Sequence, residues 1–359
     1  MRKYQVRTDL AIEARDMYIE KEEREEVAGV KVTKKRFKDI QITYVNISEQ
    51  GEMKVGKKAG NYITVYSNQM ENQDTQSQEE ITTVLSKELQ AMLEKNLIQD
   101  SDVGLVVGLG NENVTPDALG PITLEKILVT SHLFQMEGET VEKGYRSVAA
   151  VTPGVMGVTG IETSEIVRGI INKFSPDFVV AVDALASRST ERLNKTIQIS
   201  DTGIQPGSGV GNNRKELSQE TLGIPVISIG VPTVVDAVTI TSDTIDYLLK
   251  HLGKEYKEID KSFQSLLPGG MSFGSKKLSD KDMPDLKQRE TFLGIVGTLN
   301  EEEKRTLIHD VLTPLGKNMF VAPKEVDHLM VDIGHILASS INAALHKNVP
   351  LNKVTSYTR

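Results

Sequence analysis

Two aspartates, Asp117 and Asp183, occupy the sequence contexts in which an α/β chain holds reacting groups. The first belongs to Val106-Val107-Gly108-Leu109-Gly110-Asn111, continuing to Thr115-Pro116-Asp117-Ala118-Leu119-Gly120-Pro121. That is a buried-strand pattern, a glycine-rich turn, and an acid at the start of a helix. The second follows directly on the apolar run Phe178-Val179-Val180-Ala181-Val182. In open α/β sheets, ligands bind in the crevice beyond the carboxyl ends of the strands, so both acids are expected at one sheet edge. Carboxyl groups that approach closely cannot both ionise, and one keeps its proton near neutrality. Such a pair supplies a base to deprotonate water and an acid to polarise a carbonyl or protonate a leaving amine, which is what peptide hydrolysis needs. Each acid also has an ordinary explanation as the N-cap of a following helix. Two such acids at one edge are harder to explain that way than one.

Around this pair, Gly108 and Gly110 would let backbone N–H groups approach an incoming carbonyl or anion, with Asn111 next to them. The stretch from Thr152 to Thr163 contains Pro153, Gly154, Gly157 and Gly160. It is expected as a turned loop at the same edge, equally suited to substrate contact or to a purely structural turn.

Other chemistries fit poorly. Gly108-x-Gly110 is followed by Asn113 where the third glycine of a dinucleotide fingerprint is due. Gly207-Ser208-Gly209-Val210-Gly211 has neither phosphate-loop spacing nor G-x-S-x-G around Ser208, because Pro206 holds the first glycine position. A rim loop is the expected role. No histidine lies between residues 133 and 250, so a Ser-His-Asp triad would have to borrow its base from outside the sheet region. H-E-x-x-H is absent. His328 and His335 share a helix face without an accompanying ligand cluster, so no metal site is expected.

The elements that would position the aspartates are legible as periodicities. Short apolar runs at 103–108, 148–151, 178–182 and 226–229 read as buried parallel strands, with helical segments at 119–134 and 161–174 between the first three. The expected fold is α/β, with a mostly parallel, doubly wound sheet flanked by helices over residues 80–250. An antiparallel strand element at 28–67 precedes it, preceded in turn by a charged helical stretch at 11–27. Residues 68–79 read as a loop, and the apolar spacing from Ile81 to Leu97 as a helix. A helix is expected at 240–252, an exposed loop at 265–281, and a helical extension at 284–346 with an apolar stripe from Val326 to Leu345. Residues 10–359 are expected to form a single catalytic domain.

The balance of 42 basic and 50 acidic side chains gives −8, which argues against a dedicated nucleic-acid surface. The absence of cysteine excludes disulfides and thiolate nucleophiles. The N-terminus runs into charged residues with no signal-peptide pattern, and no stretch of about 18 apolar residues exists to span a membrane. A soluble, intracellular protein is expected.

The motifs VVGLGNENVTPDALGP, TPGVMGVTGIETSEI, VVAVDALASRS, QISDTGIQPGSGVGN and GIPVISIGVPTVVDAVTITSDTIDYLL resemble, in this order, the germination protease of spore-forming bacteria. SLLPGGMSFG and IGHILASSINAALH extend the likeness. The resemblance implies an atypical endopeptidase made as an inactive zymogen, similar in fold to hydrogenase maturation proteases and acting on small acid-soluble spore proteins. Its two catalytic aspartates would be Asp117 and Asp183. It implies no cofactor, a cytoplasmic place in the forespore and spore core, and a homotetramer. It also makes Arg7-Thr8-Asp9-Leu10-Ala11-Ile12-Glu13-Ala14 look like a built-in substrate, cut between an acidic and an apolar residue. Self-cleavage between Asp9 and Leu10 would then release residues 1–9 as a propeptide. Arg188 and Arg214 are candidates for reading the acid before the cut. Two alternatives use the same residues differently: a metal-assisted maturation peptidase, and a non-catalytic spore binding protein.

Overall fold

The computed structural model describes residues 8–22, 24–72, 74–137, 141–208, 214–262, 278–312 and 319–347. The chain divides into a larger unit, Arg7–Val235 with Ala322–Arg359, and a smaller one built on Asp236–Val321.

In the larger unit, eight strands form one sheet. They are β1 (Val30–Phe37), β2 (Ile40–Ile47), β3 (Gly60–Tyr66), β4 (Gly104–Gly108), β5 (Val148–Val151), β6 (Phe178–Ser187), β7 (Thr196–Ser200) and β8 (Val226–Asp236). Their order is β1-β2-β3-β7-β8-β6-β4-β5. Pairing is parallel from β5 through β4 and β6 to β8 and antiparallel from β8 through β7 and β3 to β1. The sheet is therefore mixed rather than mostly parallel. The cause is β7, a five-residue Thr-Ile-Gln-Ile-Ser strand that the periodicity did not single out, which joins the N-terminal antiparallel strands to the α/β core.

Strand alternation sends side chains to two cores. Val106, Val180, Val182, Ile227 and Ile229 face Ile81, Leu85 and Leu89 of the helix Thr75–Lys95 and Ile333 and Leu337 of the helix Val326–Leu345. Leu105, Val107, Val179 and Ala181 face Val167 and Ile171 of the helix Thr163–Phe174. Helices thus cover both faces of the parallel strands, which is why these strands read as continuous apolar runs. Each fully buried aliphatic side chain contributes roughly 1.5–3 kcal/mol to this packing.

Several boundaries differ from the sequence reading. The helix begins at Thr75, inside the expected loop, because Asp74 caps it by accepting from the Ser77 N–H at 2.8 Å. The expected helix at 119–134 is two short ones, Leu119–Leu124 and Ser131–Glu137. Between them the backbone leaves the helical ladder for tertiary partners, with Leu128 N–H donating to Asn342 Oδ1 at 2.9 Å and Thr130 N–H to the Val148 carbonyl at 3.0 Å. The helix α1 (Ala11–Glu22) ends before residue 27.

The smaller unit is helical, with Ala237–Ser262, Leu286–Leu293 and Glu301–Leu312. The Lys304 ammonium, almost fully buried, pairs with both Asp246 and Glu301. Most of the loop expected at 265–281 lies outside the described residues. No helix among the described residues is long and apolar enough to cross a membrane.

Candidate active site

The turn after β4 wraps around Asp117. Leu109 N–H still reaches the Val182 carbonyl on β6 at 2.8 Å. The chain then reverses through Gly110, whose φ is +109° and where a Cβ would fall 1.9 Å from the Asp117 carbonyl oxygen, so that only glycine fits. Asn111 N–H donates both to that carbonyl at 3.1 Å and to the Asp117 carboxylate at 2.9 Å. Thr233 fastens the turn from β8, its hydroxyl donating to the Pro116 carbonyl at 2.6 Å. Asp117 is consequently not the cap of the following helix, which has no side-chain cap. Its carboxylate is half-buried and held by the Asn111 N–H. What approaches Gly108 and Gly110 so closely is the chain's own backbone: Gly120 against Gly108, and Asp117 against Gly110.

Asp183 is not a helix cap either. β6 runs four residues beyond it, to Ser187, so the acid sits within a strand whose neighbours are β4 and β8. It is 4% exposed. Among the described residues, the one hydrogen bond its carboxyl receives is from the Ala184 N–H at 2.9 Å. Burial pushes this carboxyl well above the ordinary carboxylate range, and the charges of Asp117 and Asp9 push it further. Asp117 is also raised by burial, but the Asn111 N–H and the Arg214 guanidinium oppose the rise. The two acids from distant parts of the chain therefore feel each other's charge, and Asp183 has the stronger hold on a proton.

The third acid, Asp9, belongs to the segment Thr8–Glu13, which lies across β6 and β7. Asp9 N–H donates to the Ala186 carbonyl at 3.0 Å, and the Ala186 N–H donates to the Asp9 carboxylate at 2.9 Å. Ser208 donates its hydroxyl proton to the other carboxylate oxygen. Gln198 on β7 spans the next peptide groups: its Nε2 donates to the Asp9 carbonyl at 3.2 Å and its Oε1 accepts from the Ala11 N–H at 2.8 Å. Leu10 is fully buried with Val45, Ile47, Tyr62 and Leu185. A cavity of about 140 Å³ adjoins Asp9, lined by Lys57, Tyr62, Gln198, Ser208 and Gly230 among others. Burial pushes the Lys57 ammonium down, while Asp9 and Glu13 pull it back up.

Glu13 anchors the far end of this segment. It is 5% exposed, accepts from the Arg188 N–H at 2.7 Å and the Ser189 N–H at 3.1 Å, and lies 3.4 Å from Arg192 Nε. Thr8 donates its hydroxyl to the same carboxylate, closing the segment on itself. Burial still outweighs these donors and leaves the Glu13 carboxyl raised.

The residues singled out in sequence fall as follows. Gly110 and Asn111 form the turn around Asp117, the charges of Asp117 and Asp9 both act on Asp183 within β6, and Leu10 is buried next to Asp9. Arg188 contributes its backbone N–H to Glu13, while its guanidinium pairs with Glu20 at 3.1 Å rather than with Asp9. Arg214 acts electrostatically on Asp117. Gly157 lies in the exposed turn Met156–Thr159 after β5, at the same carboxyl edge. Of the glycine-rich loop, Gly207 and Ser208 are described and 209–213 lie outside the described residues, as do 1–7 of the expected propeptide. Sequence reasoning missed Gln198, Glu13 and Arg192, and gave Ser208 no binding role. Their one sequence signal is a polar residue inside an alternating strand, Thr-Ile-Gln-Ile-Ser, and an acid four residues beyond Asp9.

A family model described as germination protease matches residues 11–358. Curated germination proteases are similar over nearly their whole length. That of Oceanobacillus iheyensis is 61% identical over 360 residues, covering 99% of this chain and 98% of the relative. One from Bacillus cereus is 57% identical over 358 residues and one from Bacillus anthracis 56% over 359, each with the same two coverages. The chain belongs to the germination protease family.

Proposed function

We propose that this chain is an endopeptidase, made as a zymogen, that starts the breakdown of small acid-soluble spore proteins in the germinating spore. It cuts after an acidic and before an apolar residue, and its own Asp9–Leu10 bond is the first to be cut. The observation that carries this reading is that Asp9 lies close enough to Asp183 to raise its pKa, while Leu10 is buried beside it. This supports reading Asp9–Leu10 as a substrate-like bond held near Asp183.

The difference between the two acids supports one division of roles. Asp117, with an N–H donor and a guanidinium favouring its charge, is the base that takes a proton from water. The water oxygen attacks the carbonyl carbon before the scissile bond. Asp183, deeply buried and facing two carboxylates, carries the proton that passes to the departing amine. The C–N bond breaks, and Asp117 leaves the reaction protonated and Asp183 ionised until solvent exchange resets the pair. The family resemblance further supports action in the forespore and spore core and assembly as a homotetramer.

Replacing Asp117 or Asp183 by asparagine in the processed chain tests the assignment on a peptide of sequence Arg-Thr-Asp-Leu-Ala-Ile-Glu-Ala. Both variants are expected to keep the native circular dichroism spectrum and lose cleavage. Near-normal turnover by either one removes that acid from the mechanism.

A further inference from the structure

Among the described residues, the side-chain hydrogen bond to the carbonyl group of the Asp9–Leu10 bond comes from Gln198, which at the same time holds a second backbone group of the same segment. The Asp9 carbonyl oxygen can only accept and the Ala11 N–H can only donate, so the side-chain amide has one orientation that satisfies both, with Nε2 toward Asp9 and Oε1 toward Ala11. Gln198 is 8% exposed, so an unmatched amide there would be costly.

Strand register explains how this side chain comes to project to the same face as Asp183. Gln198 of β7 lies opposite Gly230 of β8, and Gly230 lies opposite Asp183 of β6. Residues directly opposite one another across paired strands project to the same face, so Gln198 and Asp183 flank a position that carries no side chain. Two strand spacings set them roughly 10 Å apart at the backbone, wide enough for a peptide to lie between. A Cβ at Gly230 would fall 2.5 Å from the Leu185 side chain, which packs with Leu10 in this gap. The glycine thus makes room for Leu185, which forms part of the wall around Leu10.

We propose that Gln198 is a third catalytic residue. It is the donor that stabilises the oxygen of the attacked carbonyl, and through Oε1 it is also the clamp that fixes the amide two residues beyond the cut. The proposal rests on the reading that Asp9–Leu10 is the scissile bond. As the attacked carbon becomes tetrahedral, its oxygen gains negative charge, and neither an ionised Asp117 nor Asp9 can stabilise that charge. A neutral N–H can, without disturbing the proton shared by the acids, and its own polarity is enhanced because Oε1 accepts from the Ala11 N–H. The same clamp selects substrates with a free backbone N–H at the second position after the cut.

The test follows self-processing of the full-length chain by intact mass, in Gln198→Ala and Gln198→Glu alongside Asp183→Asn. Loss of one such donor is expected to slow the Gln198→Ala chain about 10²- to 10³-fold. Gln198→Glu can donate only when its new carboxyl is protonated, so its rate is expected to recover as the pH is lowered, a response that a merely structural glutamine would not give. Processing of Gln198→Ala within about threefold of the wild-type rate, with Asp183→Asn inactive, overturns the proposal and leaves the acid pair standing. Processing at another bond, or normal processing of Asp183→Asn, instead overturns the reading beneath it. A second arm needs no variant to fold. The processed wild-type chain is given the octapeptide Arg-Thr-Asp-Leu-Ala-Ile-Glu-Ala and the same peptide N-methylated at the alanine after leucine. At least a hundredfold loss on methylation supports the clamp, and equal rates contradict it.

Discussion

The two halves of the sheet do different work on the same segment of chain. The parallel half, β5-β4-β6-β8, ends in a short turn around Asp117 and carries Asp183 inside β6, so it contributes acids whose charges oppose each other. The antiparallel half, β1-β2-β3-β7, contributes Val45, Ile47 and Tyr62 around Leu10 and the amide of Gln198, which are neutral groups that hold. The seam is the β7-β8-β6 strip, and the Asp9–Leu10 bond lies over it. A parallel sheet alone offers a reactive edge but no floor for an extended peptide, because helices cover its faces. Grafting antiparallel strands onto one side leaves part of a face open, and the N-terminal segment fills it.

The comparison can be broken from either side, and the largest expected effects lie on the parallel half. Asparagine at position 117 or 183 is expected to lower self-processing by at least about 10³-fold, measured as the rate of loss of full-length mass. Anchoring without chemistry is expected to matter less. Glu13→Gln removes a charged acceptor that binds two N–H groups and Arg192, and a hydrogen bond to a charged group is worth roughly 1.5–3 kcal/mol. Processing is then expected to slow about tenfold, with the cut still at the same bond. A change in cleavage position rather than rate would mean that Glu13 sets register as well as affinity.

The pH dependence separates the acids further. In the proposed mechanism Asp183 works protonated, and its pKa is raised, so activity is expected to fall as pH rises through that raised value. It is also expected to fall in acid as Asp117 takes up a proton, giving a bell-shaped profile. Asp9 is one of the charges raising Asp183. Asp9→Asn is therefore expected to move the alkaline limb of self-processing to lower pH, whatever it does to the maximal rate. An unmoved limb would remove Asp9 from the electrostatics of the pair.

The smallest expected effect is on stability. A carboxyl whose folded pKa is raised favours the native state below its unfolded pKa, and that contribution is lost as pH rises through the folded value. Asp183→Asn is accordingly expected to be more stable than the wild type at neutral pH, with the advantage vanishing toward about pH 4. Thermal unfolding at the two pH values measures it.

Much of this was legible in the sequence, for identifiable reasons. The carboxyl-end rule singled out Asp117 and Asp183 as candidates, because apolar runs covered on both faces announce parallel strands without help from context, although Asp183 lies inside β6 rather than at its end. The same reading ended β6 at Val182, since Ala-Leu-Ala-Ser suits a helix start as well as a strand, and only pairing with β8 decides between them. β7 escaped because five residues with alternating polarity carry little periodicity, and with it went the mixed topology and Gln198. Glu13 read as one more charged residue on a charged helix. Its burial is matched by the N–H groups of Arg188 and Ser189, which arrive from 175 and 176 residues away through tertiary folding alone. The acids are local in their signal, while the groups that grip the segment are not.

The central claim is that the Asp9–Leu10 bond lies against the Asp117 and Asp183 pair and is cut by it. Intact-mass analysis of the purified full-length chain, incubated at mildly acidic pH beside its Asp183→Asn counterpart, tests this most directly. The account predicts a product beginning at Leu10 from the wild type and an unchanged mass from the variant. A wild-type product starting at any other residue, or the Leu10 product appearing from the variant at the same rate, would contradict it.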